Sequence, residues 1–103
     1  MDEKQEYTKT FEERLEDLNQ DIAKLKSDIA SLSSDARKAQ LEERLEQIKN
    51  KRQAFKAKMD GLRGASANAW KEMKQGLEAA WNELGAAYRQ AAAEFKKQGP
   101  ESG

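Results

Sequence analysis

The sequence predicts an all-α protein, most simply an antiparallel three-helix bundle with coiled-coil packing. Three observations lead there. Charged residues make up 37% of the 103 residues, well above the usual quarter, while proline occurs once and glycine six times. Apolar residues recur at alternating spacings of four and three, the pattern of a heptad seam. Between the apolar runs, turn-forming residues gather at 31–35 and again at 61–66.

The first helix is expected over about residues 3–31, with its seam at Phe11, Leu15, Leu18, Ile22, Leu25, Ile29 and Leu32. A second run, at Leu41, Leu45, Ile48, Arg52, Phe55, Met59 and Leu62, is out of phase with the first by two residues. Neither a three- nor a four-residue discontinuity explains that shift, so the helix is interrupted. SLSSD is the interruption, because serine and aspartate side chains compete for nearby backbone groups and favour caps and turns. Ser33 or Ser34 can cap a helix over 35–62, with Asp35 in its first turn.

An internal repeat supports two equivalent helices. FEERLEDL, starting at Phe11, returns as LEERLEQI, starting at Leu41, and the one core mismatch is Ile22 against Arg52. If the chain folds back near Ser33 and Ser34, Asp28 faces Arg37, Asp21 faces Arg44, Lys26 faces Glu42 and Glu12 faces Lys56. Arg14 against Lys51 is the misfit. Exposed pairs of this kind select an arrangement more than they stabilise it. The alternative is a long continuous helix to Leu62 plus a shorter C-terminal helix, dimerising, since neither glycine nor proline enforces the first turn.

The second turn, GLRGAS, holds two glycines able to adopt the left-handed conformation that ends helices. Ser66 or Asn68 then caps a third helix over about 67–97. The whole makes one domain over 1–98, followed by a disordered tail at 99–103.

The third helix carries an eleven-residue repeat: AWKEMKQGLEA, AWNELGAAYRQ, AAAEFKKQ. A period of eleven keeps a stripe almost straight along the helix. Trp70, Met73, Leu77, Trp81, Leu84, Tyr88 and Phe95 fall in a sector about 80° wide. Gly76, Ala80, Ala87 and Ala91 form a shoulder of small residues beside it. The favoured reading is packing, with the aromatic side and the small side each meeting a neighbouring helix. A lipid-surface or partner-binding helix is the sharper alternative, although Lys71, Lys74, Arg89 and Lys96 are balanced by Glu72, Glu78, Glu83 and Glu94.

Other candidate chemistry is sparse. With no cysteine and no histidine, thiolate chemistry, the commonest general base and the commonest transition-metal ligand are excluded. Adjacent carboxylates such as Glu12–Glu13 and Glu42–Glu43 diverge by about 100° on a helix and do not converge on an ion. No phosphate loop or nucleophile elbow occurs. No enzyme activity, cofactor, metal or small-molecule substrate is therefore expected. Lys49, Arg52, Lys56 and Arg63 form a candidate anion contact, but all except Arg52 flank the seam, where acidic residues of the first helix can pair with them, and no aromatic is interleaved, which disfavours nucleic acid. Arg52 reads better as a paired or snorkelling arginine near Glu78. Nineteen basic and nineteen acidic residues cancel, so no global field draws polyanions. The N-terminus shows no secretory pattern and no stretch approaches a membrane span, from which a cytoplasmic location is expected.

DEKQEYTKTFEERLEDLNQDIAKLK, KNKRQAFKAKMDGLRGAS and AWKEMKQGLEAAWNELGAAY together resemble the three blocks of a family of small bacterial coiled-coil stress-response proteins. The likeness spans nearly the whole chain and is most specific in the AW-containing block; SLSSDARKAQLEERL is slightly longer than the family pattern. It implies a helical stress-associated protein and brings no catalytic residues. The expected function is non-enzymatic, through self-association or a protein partner, with a membrane surface as the alternative and weak nucleic-acid binding through residues 49–63 as the second.

Overall fold

The computed structural model describes residues 3–97, and among them the only regular elements are three helices: α1 (Glu3–Ala30), α2 (Asp35–Arg63) and α3 (Ala69–Lys97). The expected disordered tail, 99–103, lies outside the described residues. α1 winds down through Ser31, whose N–H donates to the Ser27 and Asp28 carbonyls, and Leu32, whose N–H donates to Ile29. Ser34 then takes an extended conformation (φ −81°, ψ 115°), and its hydroxyl accepts from the Arg37 N–H at 3.3 Å. That is N-cap geometry. The SLSSD stretch is thus a turn, and α2 folds back on α1 instead of continuing it.

The second turn closes differently from the sequence expectation. Gly64, the C-cap of α2, is right-handed (φ −87°, ψ −1°), and its N–H donates back to the Asp60 carbonyl. None of the left-handed freedom of glycine is used there. The open carbonyls at this helix end are satisfied from outside: the Lys4 ammonium of α1 donates to the Arg63 oxygen at 3.1 Å and the Ala65 oxygen at 2.9 Å. A cation at a helix C-terminus also opposes the negative end of the dipole. Of the two expected caps for α3, the hydroxyl that acts is Ser66, which accepts from the Ala69 N–H at 3.3 Å.

The helices form an up-down-up bundle measuring 54 × 20 × 17 Å, so α1 and α3 run parallel and α2 runs against both. α2 and α3 approach most closely, and α1 stands further off. Side-chain size accounts for the difference. The α3 surface toward α2 is the small-residue shoulder, with Ala80 and Ala91 buried, whereas large rings fill the space toward α1. Ile29, Leu41, Ile48, Phe55, Leu62, Leu77 and Leu84 are fully enclosed, and each such side chain contributes about 1.5–3 kcal/mol of hydrophobic stabilisation.

The third helix also redirects the flanking charges. Arg44, expected opposite Asp21, pairs with Glu94 of α3 at 2.8 Å, and Arg37, expected opposite Asp28, donates to the Phe95 carbonyl at 3.3 Å. Glu12, expected opposite Lys56, is bonded by Arg63. The Arg37 and Arg44 pairings assumed a two-helix hairpin; with α3 packed along α2, their flank of α2 faces α3, whereas Glu12 still faces α2 and lines one groove with Lys56. The misfit of Arg14 with Lys51 disappears for the same reason. Arg14 stacks over the Phe11 ring at 5.1 Å, and Lys51 reaches Glu83 at 3.4 Å.

Candidate functional site

The α3 stripe divides once each residue is placed. Leu77 and Leu84 are fully buried and Trp70 is nearly so, at 7% exposure. Trp81, Tyr88 and Phe95 are only half-buried, on the side of α3 that faces α1. Met73 leaves the core altogether at 37% exposure, a departure from its expected packing role. Its Cε lies 3.2 Å from where a Cβ of Gly61 would stand, so the methyl end rests on α2 at a position where a side chain would crowd it. Leu77 and Phe95, and likewise Trp70 and Tyr88, lie five whole turns apart on one face, so the cover over the stripe changes along α3 and not around it.

Aromatic rings join the three helices. Phe11 of α1, Phe55 of α2 and Trp81 of α3 stand with ring centroids 5.4–5.8 Å apart, in tilted and edge-on arrangements of the kind rings prefer. Towards the N-terminal end of α3, Tyr7 lies 5.9 Å from Trp70, and the Lys74 ammonium sits over both rings. The Tyr7 hydroxyl donates to Glu78 Oε2 at 2.7 Å. Burial, the hydrogen bond and the adjacent carboxylate together hold the Tyr7 phenol well above the ordinary tyrosine value, against a smaller opposing pull from Arg14. Neither Tyr7 nor Lys4 announces its role in the sequence; a tyrosine one heptad position before Phe11 is the one available signal.

An open groove between α1 and α3 is lined by Tyr7, Phe11, Arg14, Glu78, Trp81 and Asn82, and further along the same two helices Leu18, Tyr88, Ala92 and Phe95 are half-buried against the core. Burial, then Asp21 and Asp28 across the groove, push the Tyr88 phenol up. Arg89 folds back over Gly85, its Nη1 3.1 Å from the position a Cβ would take. None of Asp21, Asp28, Arg89 and Lys96 enters an ion pair among the described residues. An aromatic floor between an acidic wall and a basic wall can receive another amphipathic element.

Lys49, Arg52, Lys56 and Arg63 of the basic run each lie beside acidic or polar neighbours. Arg63 is held by Glu12 and Asp60, and Arg52 donates to Asn19 Oδ1 at 3.0 Å instead of meeting Glu78. Arg52 turns to α1 because α1 packs on that side of α2, while Glu78 is engaged by Tyr7. Lys56 lines an open groove with Glu12, Glu16 and Asp60, and Lys49 lines another with Glu42 and Glu46. Each cation has carboxylates beside it, which weakens any net attraction for phosphate.

Among the described residues no group of carboxylates is placed to hold a metal ion, and no helix is long and apolar enough to cross a membrane. Comparison with protein families, curated proteins and solved structures returned no match to the chain.

Proposed function

We propose that this chain is a non-enzymatic, cytoplasmic helical bundle that acts by protein association, in a bacterial stress response as the sequence resemblance implies. The observation that carries the reading is the α1–α3 groove, where Trp81, Tyr88 and Phe95 remain only partly covered, beside charges that have no ion-pair partner among the described residues. A bundle evolved only to be stable gains by covering such rings, since each further apolar Å² removed from water contributes about 25 cal/mol. Rings kept at an accessible edge with charged rims have the make-up of a binding surface.

Site-specific photocrosslinking in stressed cells tests this. A photoreactive residue at Asn82, exposed and in the wall of this groove, is expected to give protein adducts. The same probe at Gln53, exposed on α2, serves as the control. Equal labelling at both positions, or none at Asn82, would remove the reading.

Lipid-surface binding is the second reading, favoured by the partly exposed Trp81 and Tyr88. It predicts a blue shift of tryptophan emission with anionic vesicles, and unchanged emission eliminates it.

A further inference from the structure

We propose that the α1–α3 groove is a homodimer interface, in which two copies pair about a two-fold axis running along the groove, parallel to the helices. The inference rests on the reading of the chain as a protein-binding bundle and names the partner as a second copy.

Charge placement selects both the occupant and the symmetry. α1 and α3 are parallel, and the Tyr7 hydroxyl, which donates to the Lys74 carbonyl at 3.4 Å and to Glu78 Oε2 at 2.7 Å, sets their register. In that register the rim of α1 carries Arg14, then Asp21 and Asp28, while the rim of α3 carries Glu78, then Arg89 and Lys96. At the heights of Arg14, Asp21 and Asp28 the two rims bear opposite signs, whereas Lys74 at the Tyr7 end lies over an uncharged ring. A two-fold axis parallel to the helices exchanges the rims, setting α1 of one copy against α3 of the other at the same height. Asp21 then meets Arg89 and Asp28 meets Lys96 across the interface, and each pair occurs twice, as isologous symmetry requires. An axis perpendicular to the helices would instead set α1 against α1 head to tail, which opposes Asp21 with itself and Arg89 with itself when centred on them, and Asp21 with Asp28 and Arg89 with Lys96 when centred between them. The chain's zero net charge adds no global repulsion between copies.

The floor suits the same geometry. Leu18, Tyr88 and Phe95 are half-buried in the single chain, and Gly85 and Ala92 leave room between them. Two such floors face to face form a four-helix seam with apolar residues inside and paired charges at the edge.

The test is a charge-reversal mixing experiment on the full chain. The wild type is expected to have twice its chain mass by sedimentation equilibrium at high micromolar concentration. Asp21→Lys with Asp28→Lys, and separately Arg89→Asp with Lys96→Asp, each place like charges across every pair and should weaken self-association by at least about 100-fold. Mixed one to one, the two variants become complementary at all four contacts and should form a heterodimer of wild-type strength. Circular dichroism confirms that each variant remains helical; if either unfolds alone, Tyr88→Lys, which alters the floor without touching the rims, replaces it and should give a helical monomer.

A monomeric wild type overturns the proposal, and so does a dimer indifferent to these substitutions, which must use another face. Variants that stay apart when mixed overturn it too, because the rim charges then act only within one chain. In each case the photocrosslinking contrast between Asn82 and Gln53 still decides independently whether the groove binds protein.

Discussion

At the scale of single residues, Gly64 shows how a turn can look like one mechanism and work by another. A glycine just past a helix end ordinarily supplies a left-handed cap, and here its φ is −87°. A Cβ at this position would meet only the Gly61 carbonyl oxygen, at an ordinary 3.9 Å. Gly64→Ala is therefore expected to stabilise the fold by about 0.4–1 kcal/mol by restricting the unfolded chain, read as a higher midpoint in urea. A left-handed cap would give the opposite sign.

Tyr7 supplies the pH dependence. Its phenol is held above the ordinary value of about 10, so the folded state retains this proton when the unfolded chain has lost it. The associated stability is complete below about pH 10 and is lost as pH rises beyond it. Tyr7→Phe should lose less melting temperature than the parent between about pH 9 and pH 11, because lysine titration is common to both and only the phenol differs. An identical loss in both proteins would show that the Tyr7–Glu78 bond does not survive in solution.

At the scale of elements, α3 is a two-sided helix. Its alanine edge lets α2 come close, and its aromatic edge holds α1 away through Tyr7, Phe11, Trp70 and Trp81. Ala91, fully buried, has no space to grow. Ala91→Leu should destabilise the bundle by about 1–3 kcal/mol through overpacking against α2, measured by urea unfolding. The same change at exposed Ala93 should cost less than about 0.5 kcal/mol.

Element boundaries were legible from local chemistry. Ser34 and Ser66 act as caps, and the three helices start and stop within two residues of the positions that the apolar periodicity and the turn formers imply. The identity of the partners was not. Arg44, expected to face α1, pairs with Glu94 of α3, while Arg52, expected near Glu78 of α3, bonds Asn19 of α1, because a charge on a helix flank is compatible with either neighbour. Lys4 capping α2 across some sixty residues of sequence has no local signature.

At the scale of the whole molecule, unequal packing predicts unequal opening. α2 and α3 pack closely through small residues, while α1 is held by rings and a few polar contacts. Hydrogen exchange under native conditions is expected to release α1 amides before those of α2 and α3, as a cooperative unit. Simultaneous exchange of all three helices would show that the bundle opens only as a whole.

The groove on which the functional proposal depends follows from the same asymmetry. The sequence by itself determined that the chain is helical, that it turns twice, and that α3 has an aromatic edge beside a small one, because periodicity and capping are properties of neighbouring residues. Only the tertiary structure decided which parts of those edges would be buried. Leu77 and Phe95, Trp70 and Tyr88, and Ala91 and Met73 lie eighteen residues, five whole turns, apart on shared faces, yet the first of each pair is buried and the second is not, because the cover that α1 and α2 provide differs along α3. That choice depends on how three helices share one core, and no single helix encodes it.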